Sequence, residues 1–308
     1  MLKNSQENNK PQEQFPQIFL KTIVFNDGTQ IELNHNSIIV FTGANNSGKS
    51  QVLKDAEQYM NKSVLLPTIV IKNMETEFLG SINEPKFFNE NFFKDSQGYY
   101  QLYGGSACYR EDSLCNQWER QELGRETLKL FIKHLSTEMR LTVSNELHRH
   151  RAPRNHPIYK LCKNEMLAQK LSRYFNQAFG VDLVVNSNEM ATIPLHVGKA
   201  PDKKAFTMDR QDEYYKQLSL LPHLHEQGDG MRSFASILLD TFTSDHTITL
   251  IDEPEAFLHP PQARILGKML AKNNQNGHQL LLSTHSEDFL QGLLDVDNKN
   301  VTECRPLP

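Results

Sequence analysis

Three short groups of residues have the types and spacing needed to handle a phosphate ester. The first is Gly43-Ala44-Asn45-Asn46-Ser47-Gly48-Lys49-Ser50, which fits the phosphate-binding pattern G-x-x-x-x-G-K-[ST]. Its glycines let the backbone curl so that successive N–H groups face one anion. A helix starting near Gly48 aims its unpaired N–H groups and the positive end of its dipole at the same point. Lys49 would reach the β- and γ-phosphates of a nucleoside triphosphate, and the Ser50 hydroxyl would be a ligand of Mg²⁺. The competing reading is a Gly/Asn-rich turn before an ordinary helix. The second group is Asp252-Glu253-Pro254-Glu255, at the end of the apolar run 247–251. Two adjacent carboxylates at the end of a buried strand are costly unless they have a task. Asp252 can help to hold Mg²⁺ opposite Ser50, and Glu253 can orient and deprotonate an attacking water. The third is Ser283-Thr284-His285 at the end of a further stretch that reads as a buried strand, from Gln279 through Leu280, Leu281 and Leu282, where His285 could donate to the γ-phosphate and sense it. A weaker fourth element is the turn Gly228-Asp229-Gly230 at the head of a helix, which is either a second anion-binding terminus or a plain turn and cap.

These groups require strands that end on one edge of a parallel sheet, where open α/β folds present their ligands. The sequence supplies such strands at 38–42, 247–252 and 279–284, with helices expected at 51–60, 262–272 and 287–294 and Ser286 as a helix N-cap. Two further strands, 18–25 and 30–33, flank Asn26-Asp27-Gly28 and predict an antiparallel hairpin. Val-, Ile- and Leu-rich residues 64–71 read as another buried strand, 181–185, 192–197 and 300–304 as short ones. Between the two halves, aromatic-rich loops give way to helical periodicity. Residues 118–147 and 159–179 read as helices, with Leu128, Phe131, Ile132 and Leu135 on one face.

Composition sets the remaining limits. The chain has 308 residues, 23% of them charged, and a net charge of −4, so no global basic field points to nucleic acid. One stretch, His148 to Pro157, is locally basic. It reads as a solvated loop or, through Arg149, Arg151 and Arg154, as a contact to a phosphate backbone. A zinc site from His148, His150 and His156 lacks a Cys or acidic ligand at the right spacing. The four cysteines, Cys108, Cys115, Cys162 and Cys304, form no CxxC pair and read as reduced thiols. With no membrane-length apolar stretch and no signal core, a cytoplasmic protein is expected.

In this order the motifs resemble those of the ABC-type ATPase heads of the SMC/OLD-like group, over roughly residues 18–75 and 180–303. The resemblance implies an α/β fold, a P-loop NTPase of ABC-ATPase type with a mixed central sheet, an N-terminal antiparallel β-subdomain and a largely helical insertion. The expected organisation is a flexible leader (1–16), the first part of the head (17–75), the insertion (76–180) and the second part of the head (181–308). Carried over by position, Gly43 to Ser50 bind ATP, Ser50 and Asp252 serve Mg²⁺, Glu253 is the base and His285 the switch histidine. Gly228, Asp229 and Gly230 stand at the signature position and would face the nucleotide of a second copy; the first of them is a glycine where transporter heads carry serine. Gln97 and Gln101 are candidates for the glutamine of the Q-loop. The implied function is an ATP-hydrolysing dimeric switch that controls a separate or fused nuclease, in phage defence or DNA repair. A transport ATPase subunit and a non-hydrolysing assembly scaffold are the alternatives. No nuclease-like acidic cluster occurs before Pro308, so the chain is expected to be a fragment or to act through another polypeptide.

Overall fold

The computed structural model describes residues 15–43, 47–61, 67–83, 85–103, 105–143, 145, 147–148, 156–187, 191–201, 211–243, 245–274, 277–297 and 299–305. The chain opens with β1 (Gln17–Phe25) and β2 (Gln30–Glu32), an antiparallel hairpin in which Gly28 supplies the positive φ of the turn. The strand β3 (Ile38–Thr42) and the helix α1 (Lys49–Met60) follow, and then β4 (Ile71–Leu79), antiparallel to β1. The expected strand at 64–71 is thus displaced. Residues 62–66 lie outside the described residues, and the strand itself begins at Ile71, where pairing with β1 becomes available.

Next come α2 (Pro85–Asn91), the three-stranded antiparallel sheet of β5 (Phe92–Lys94), β6 (Tyr100–Leu102) and β7 (Cys108–Tyr109), α3 (Glu111–Glu119) and α4 (Arg125–Leu128). The helix expected at 118–147 does not form. Gln121 adopts φ 56, which breaks the helix after α3, and residues Ile132–Leu135 become a strand, β8, followed by α5 (Thr137–Val143) and β9 (Leu147–His148). The spacing of Leu128, Phe131, Ile132 and Leu135 mimics a helical face, but Ile132 and Leu135 are buried through parallel pairing with the later strand at 248–252. The helices α6 (Pro157–Lys163) and α7 (Glu165–Phe179) occupy the second expected helical stretch.

The second half contains β10 (Asp182–Val185), β11 (Thr192–Ile193), β12 (Leu195–Gly198), α8 (Gln211–Ser219) and α9 (Asp229–Thr243). It ends with β13 (Ile248–Asp252), α10 (Pro260–Asn273), β14 (Gln279–Thr284), α11 (Glu287–Leu294) and β15 (Val301–Cys304). The central sheet has the order β15-β3-β14-β13-β8 and every pair in it is parallel. Among the described residues the antiparallel strand pairs lie in the smaller sheets, of which β2-β1-β4 is the N-terminal subdomain. All six residues of β14 are buried, as expected for a parallel strand covered on both faces. Alternation along the strands feeds two cores. Ile38, Val40, Leu280, Leu282 and Ile251 pack under α7, α9, α10 and α11. Ile39, Phe41, Leu281, Ile248 and Leu250 pack with α1, α3 and the β1 and β4 strands. The register sets Thr42 opposite Thr284 and Ser283 opposite Asp252, which brings the C-terminal ends of β3, β14 and β13 to one edge.

Candidate nucleotide site

The phosphate loop leaves β3 at Thr42. Gly43 has φ 153 and Gly48 φ 85, and a Cβ on Gly43 would stand 2.7 Å from Ser47 Oγ, so the loop is built on glycine at both ends. Gly48 caps α1 without a side-chain bond, and no acidic residue occupies the first turn. The first N–H groups of α1 therefore point to where an anion would sit. Lys49 is 4% exposed and its Nζ donates to the carbonyl of Gly43 at 2.8 Å, which holds the cation over the loop. Ser47 Oγ is buried without a hydrogen-bond partner, a polar atom ready for an incoming acceptor. Ala44, Asn45 and Asn46 lie outside the described residues.

From the neighbouring strands come the acidic groups. The Ser50 hydroxyl donates to Asp252 Oδ1 at 2.7 Å, and Ser283 Oγ donates to the same oxygen. Glu253 follows in the left-handed region at φ 47, unusual for a residue with a Cβ, and its N–H donates to the Ser283 carbonyl at 3.0 Å. In this turn its Oε1 reaches His285 Nδ1 at 3.2 Å. Glu255, 7% exposed, accepts from Thr284 Oγ1 at 2.7 Å and from the His285 backbone N–H at 3.1 Å, and its Oε1 also lies 3.4 Å from His285 Nδ1. Ser50, Asp252, Glu253 and His285 are therefore one cluster at the sheet edge, with Lys49 beside it.

Three contributors have no role assigned by the sequence motifs. Glu255 orients His285. Ser283 links β14 to Asp252. Arg140, on α5 and fully buried, donates from Nη1 to the carbonyl of Asp252 at 2.6 Å and from Nη2 to that of Glu253 at 2.9 Å. Burial pulls its pKa down to about 10 against the opposing charges of Glu255, Asp252 and Glu253, so it stays a cation at neutral pH. Glu255 carries a signal in the sequence, since it stands two residues after Glu253 in the same acidic run; a lone arginine in a predicted helix carries none.

The other expected residues are placed elsewhere. Gly228 precedes α9 and accepts at its carbonyl from the N–H groups of Met231 and Arg232; Asp229 Oδ1 pairs with Arg232 Nη1 at 3.2 Å. A Cβ on Gly230 would come within 2.6 Å of the Phe257 carbonyl oxygen, so this turn sits against the segment that follows Glu253. The helix α9 packs on α5, α6, α7 and α10, whereas α1 packs on β4, β13 and β14. Gln97 lies in the turn between β5 and β6, and Gln101 Nε2 donates to the Gly105 carbonyl, so neither is brought to the cluster. Arg149, Arg151, Arg154 and His150 lie outside the described residues. His148 pairs in β9 with Thr192, while His156 caps α6 by accepting the Ile158 N–H, with its pKa pulled to about 4 by burial. Among the described residues no group of three or more His, Cys, Asp or Glu is arranged to hold a metal, and no helix is long and apolar enough to cross a membrane. Beside Ser47 and Gly48 opens a hollow of about 620 Å³, walled by Phe25, Ile31, Phe41 and Val70 and rimmed by Arg305.

Known proteins resemble this chain in sequence or in fold. A protein of Helicobacter pylori named "ATP/GTP phosphatase" is 23% identical over 253 residues, which are 80% of this chain and 58% of that protein. Two solved structures match the fold at TM-scores of 0.50 and 0.52. They are an SMC head bound to the C-terminal winged-helix domain of ScpA, and an SMC head with an extended coiled coil bound to the C-terminal domain of ScpA derived from Pyrococcus furiosus. They are 11% and 9% identical and cover 89% and 90% of this chain, and 92% of their own in each case, so the chain shares the fold of the SMC head domain. The AAA_21 family, described as "AAA domain, putative AbiEii toxin, Type IV TA system", matches from the strand before the phosphate loop to the helix after His285, residues 38–290, and the chain belongs to that family.

Proposed function

We propose that the chain is an ATP-binding and ATP-hydrolysing head that works as a dimeric switch and controls a nuclease or other DNA-processing partner, in anti-phage defence. The observation that carries the enzymatic part is the joined cluster, in which Ser50 bonds to Asp252 and Glu253 meets His285 on the edge reached by the phosphate loop. In this reading the N–H groups of α1 and the Lys49 ammonium bind the phosphates, and the hollow beside Gly48 takes the nucleobase. Two oxygen donors 2.7 Å apart, Ser50 Oγ and Asp252 Oδ1, suit a hard cation. Bound there, Mg²⁺ would neutralise charge on the β- and γ-phosphate oxygens. The Glu253 carboxylate takes a proton from the water that attacks the γ-phosphorus, and the ADP oxygen leaves opposite it. Glu255 keeps His285 turned to the same spot, where its imidazole can donate to the γ-phosphate.

The dimer is supported by the different neighbours of the two elements, the glycine-headed α9 packing on α5, α6, α7 and α10 and the phosphate-loop helix α1 on β4, β13 and β14, an arrangement in which a second copy would bring the two face to face. Control of a partner is supported by the toxin-system description of the family and by SMC heads seen with ScpA. The test is Glu253→Gln, in which the amide keeps the shape but lacks the basic oxygen. Phosphate release should fall by about 10²- to 10⁴-fold while a fluorescent ATP analogue binds as before. Sedimentation with ATP should show the variant trapped as a dimer. Turnover at the wild-type rate would remove Glu253 as base, and a monomer at saturating ATP would remove the switch.

A further inference from the structure

A buried guanidinium is costly unless its donors are used, and Arg140 spends its two terminal nitrogens on carbonyl oxygens while its Nε is buried without a hydrogen-bond partner, so the fork carries the compensation. What such a fork fixes is a backbone path. Here the path is a strained one, because Glu253 sits at φ 47, where a Cβ is crowded, and its carbonyl is the second oxygen in the fork. Relaxed to the extended region, the same residue would carry its carboxylate away from His285.

The helix that bears Arg140 is in turn seated by α9. Ser236 Oγ donates to the Arg140 carbonyl, and Arg232 Nη2 donates to the Leu141 carbonyl. Arg232 Nη1 pairs with Asp229, the middle residue of the glycine-rich turn. A line of hydrogen bonds thus runs within one chain from the head of α9 through α5 to the carbonyl of Glu253.

We infer that Arg140 is a positioning residue for hydrolysis, which holds the Asp252-Glu253 backbone in the turn that aims Glu253 and makes that turn answer to the glycine-rich head of α9. This rests on the reading of Glu253 as the base. In the dimer, the head of α9 closes on the nucleotide held by the other copy, so Arg140 lets occupancy of the neighbour's site set this chain's own base. The device joins two composite sites without any contact between their nucleotides.

Arg140→Lys keeps the charge but cannot fork onto two carbonyls. In the full chain, kcat should fall about a hundredfold, the cost of a misplaced group, with affinity for a fluorescent ATP analogue unchanged. Ser236→Ala, which trims one hydroxyl from the α9–α5 contact, should lower kcat several-fold alone and not at all in the Arg140→Lys background, because both changes act through one strut. Wild-type kcat in Arg140→Lys, or equal losses in kcat and nucleotide affinity, would make Arg140 a structural strut and overturn the inference; independent losses in the double variant would overturn the link to α9. Should Arg140→Lys fail to fold, Ser236→Ala decides: reduced kcat at unchanged affinity supports the inference, and wild-type kcat refutes it. Turnover that survives Glu253→Gln identifies the other failure, that of the base assignment beneath it.

Discussion

Asp55 joins the phosphate-loop helix to the N-terminal subdomain, and its removal gives a stability loss that can be worked from the contacts. The residue is fully buried in α1. Its Oδ2 accepts the N–H groups of Ile69 (2.7 Å), Val70 (2.5 Å) and Ile71 (3.1 Å), and its Oδ1 accepts Gln51 Nε2 at 2.7 Å. Asp55→Ala strands these donors unequally. Ile69 is 67% exposed and its N–H can turn to water, Val70 is half-buried, and Ile71 is buried with no alternative. Leaving one buried N–H unsatisfied costs about 1–3 kcal/mol, and half-loss of a second with loss of the Gln51 bond adds about 1 kcal/mol, for a total of about 3 kcal/mol. At about 2 °C per kcal/mol for a chain of this size, Tm should drop by about 6 °C. Asp55→Asn keeps one oxygen for the three N–H groups and should lose about 1 kcal/mol. Urea unfolding followed by far-UV circular dichroism measures both. Nucleotide affinity should weaken in Asp55→Ala as well, because Val70 packs against the Gly48 end of α1. If Asp55→Ala unfolded within about 0.5 kcal/mol of the wild type, the size of an ordinary surface substitution, the anchoring role of Asp55 would be refuted.

Gly230→Ala places a methyl 2.6 Å from the Phe257 carbonyl oxygen, and because backbone must give way, a loss of about 1–3 kcal/mol in urea is expected, with reduced ATP turnover. A neutral outcome would mean that the turn does not bear on the segment after Glu253. Acidification should act through buried imidazoles. His278, bonded through Nε2 to Thr249 Oγ1, and His156 both have pKa values pulled down to about 4 by burial, against an ordinary 6.5. The unfolded chain therefore takes up these protons first, so their contribution is whole above pH 6.5 and is lost as pH falls toward 4. The slope is at most about 1.4 kcal/mol per pH unit for each ring. Thermal melts across that range should show the fall, and His278→Gln should flatten it; an unchanged slope would place the acid sensitivity elsewhere.

The parts of the site that were legible in the sequence are those where a buried strand stops. Strands β3, β13 and β14 are buried and mostly apolar, so the residues that end them, Gly43, Asp252 and Ser283-Thr284-His285, declare the edge where they stop. The glycine and lysine pattern of the first adds a mechanism to the position. Strand β8 was illegible for the complementary reason. It is an edge strand of four residues whose identity depends on pairing with β13, more than a hundred positions later, and its two buried residues have a spacing that a helix face shares. Strand β4 was mislaid along the chain because its start is set by its antiparallel partner β1, a non-local fact.

The misreading of β8 is also what hid Arg140. As part of one long helix, an arginine at that position is a solvated charge. Once β8 joins the sheet beside β13, the chain that leaves it must turn back over the C-terminal edge, and the first turns of α5 arrive at the Asp252-Glu253 carbonyls. A motif names the group that does chemistry, since few residue types can do it, but its aim is set by whichever neighbour the topology delivers. Glu255 and Arg140 fix the bearing of His285 and Glu253 through backbone N–H and C=O groups, which every residue carries and no pattern marks. The candidate residues at this edge could be named from residue types alone, whereas their geometry needed the sheet order.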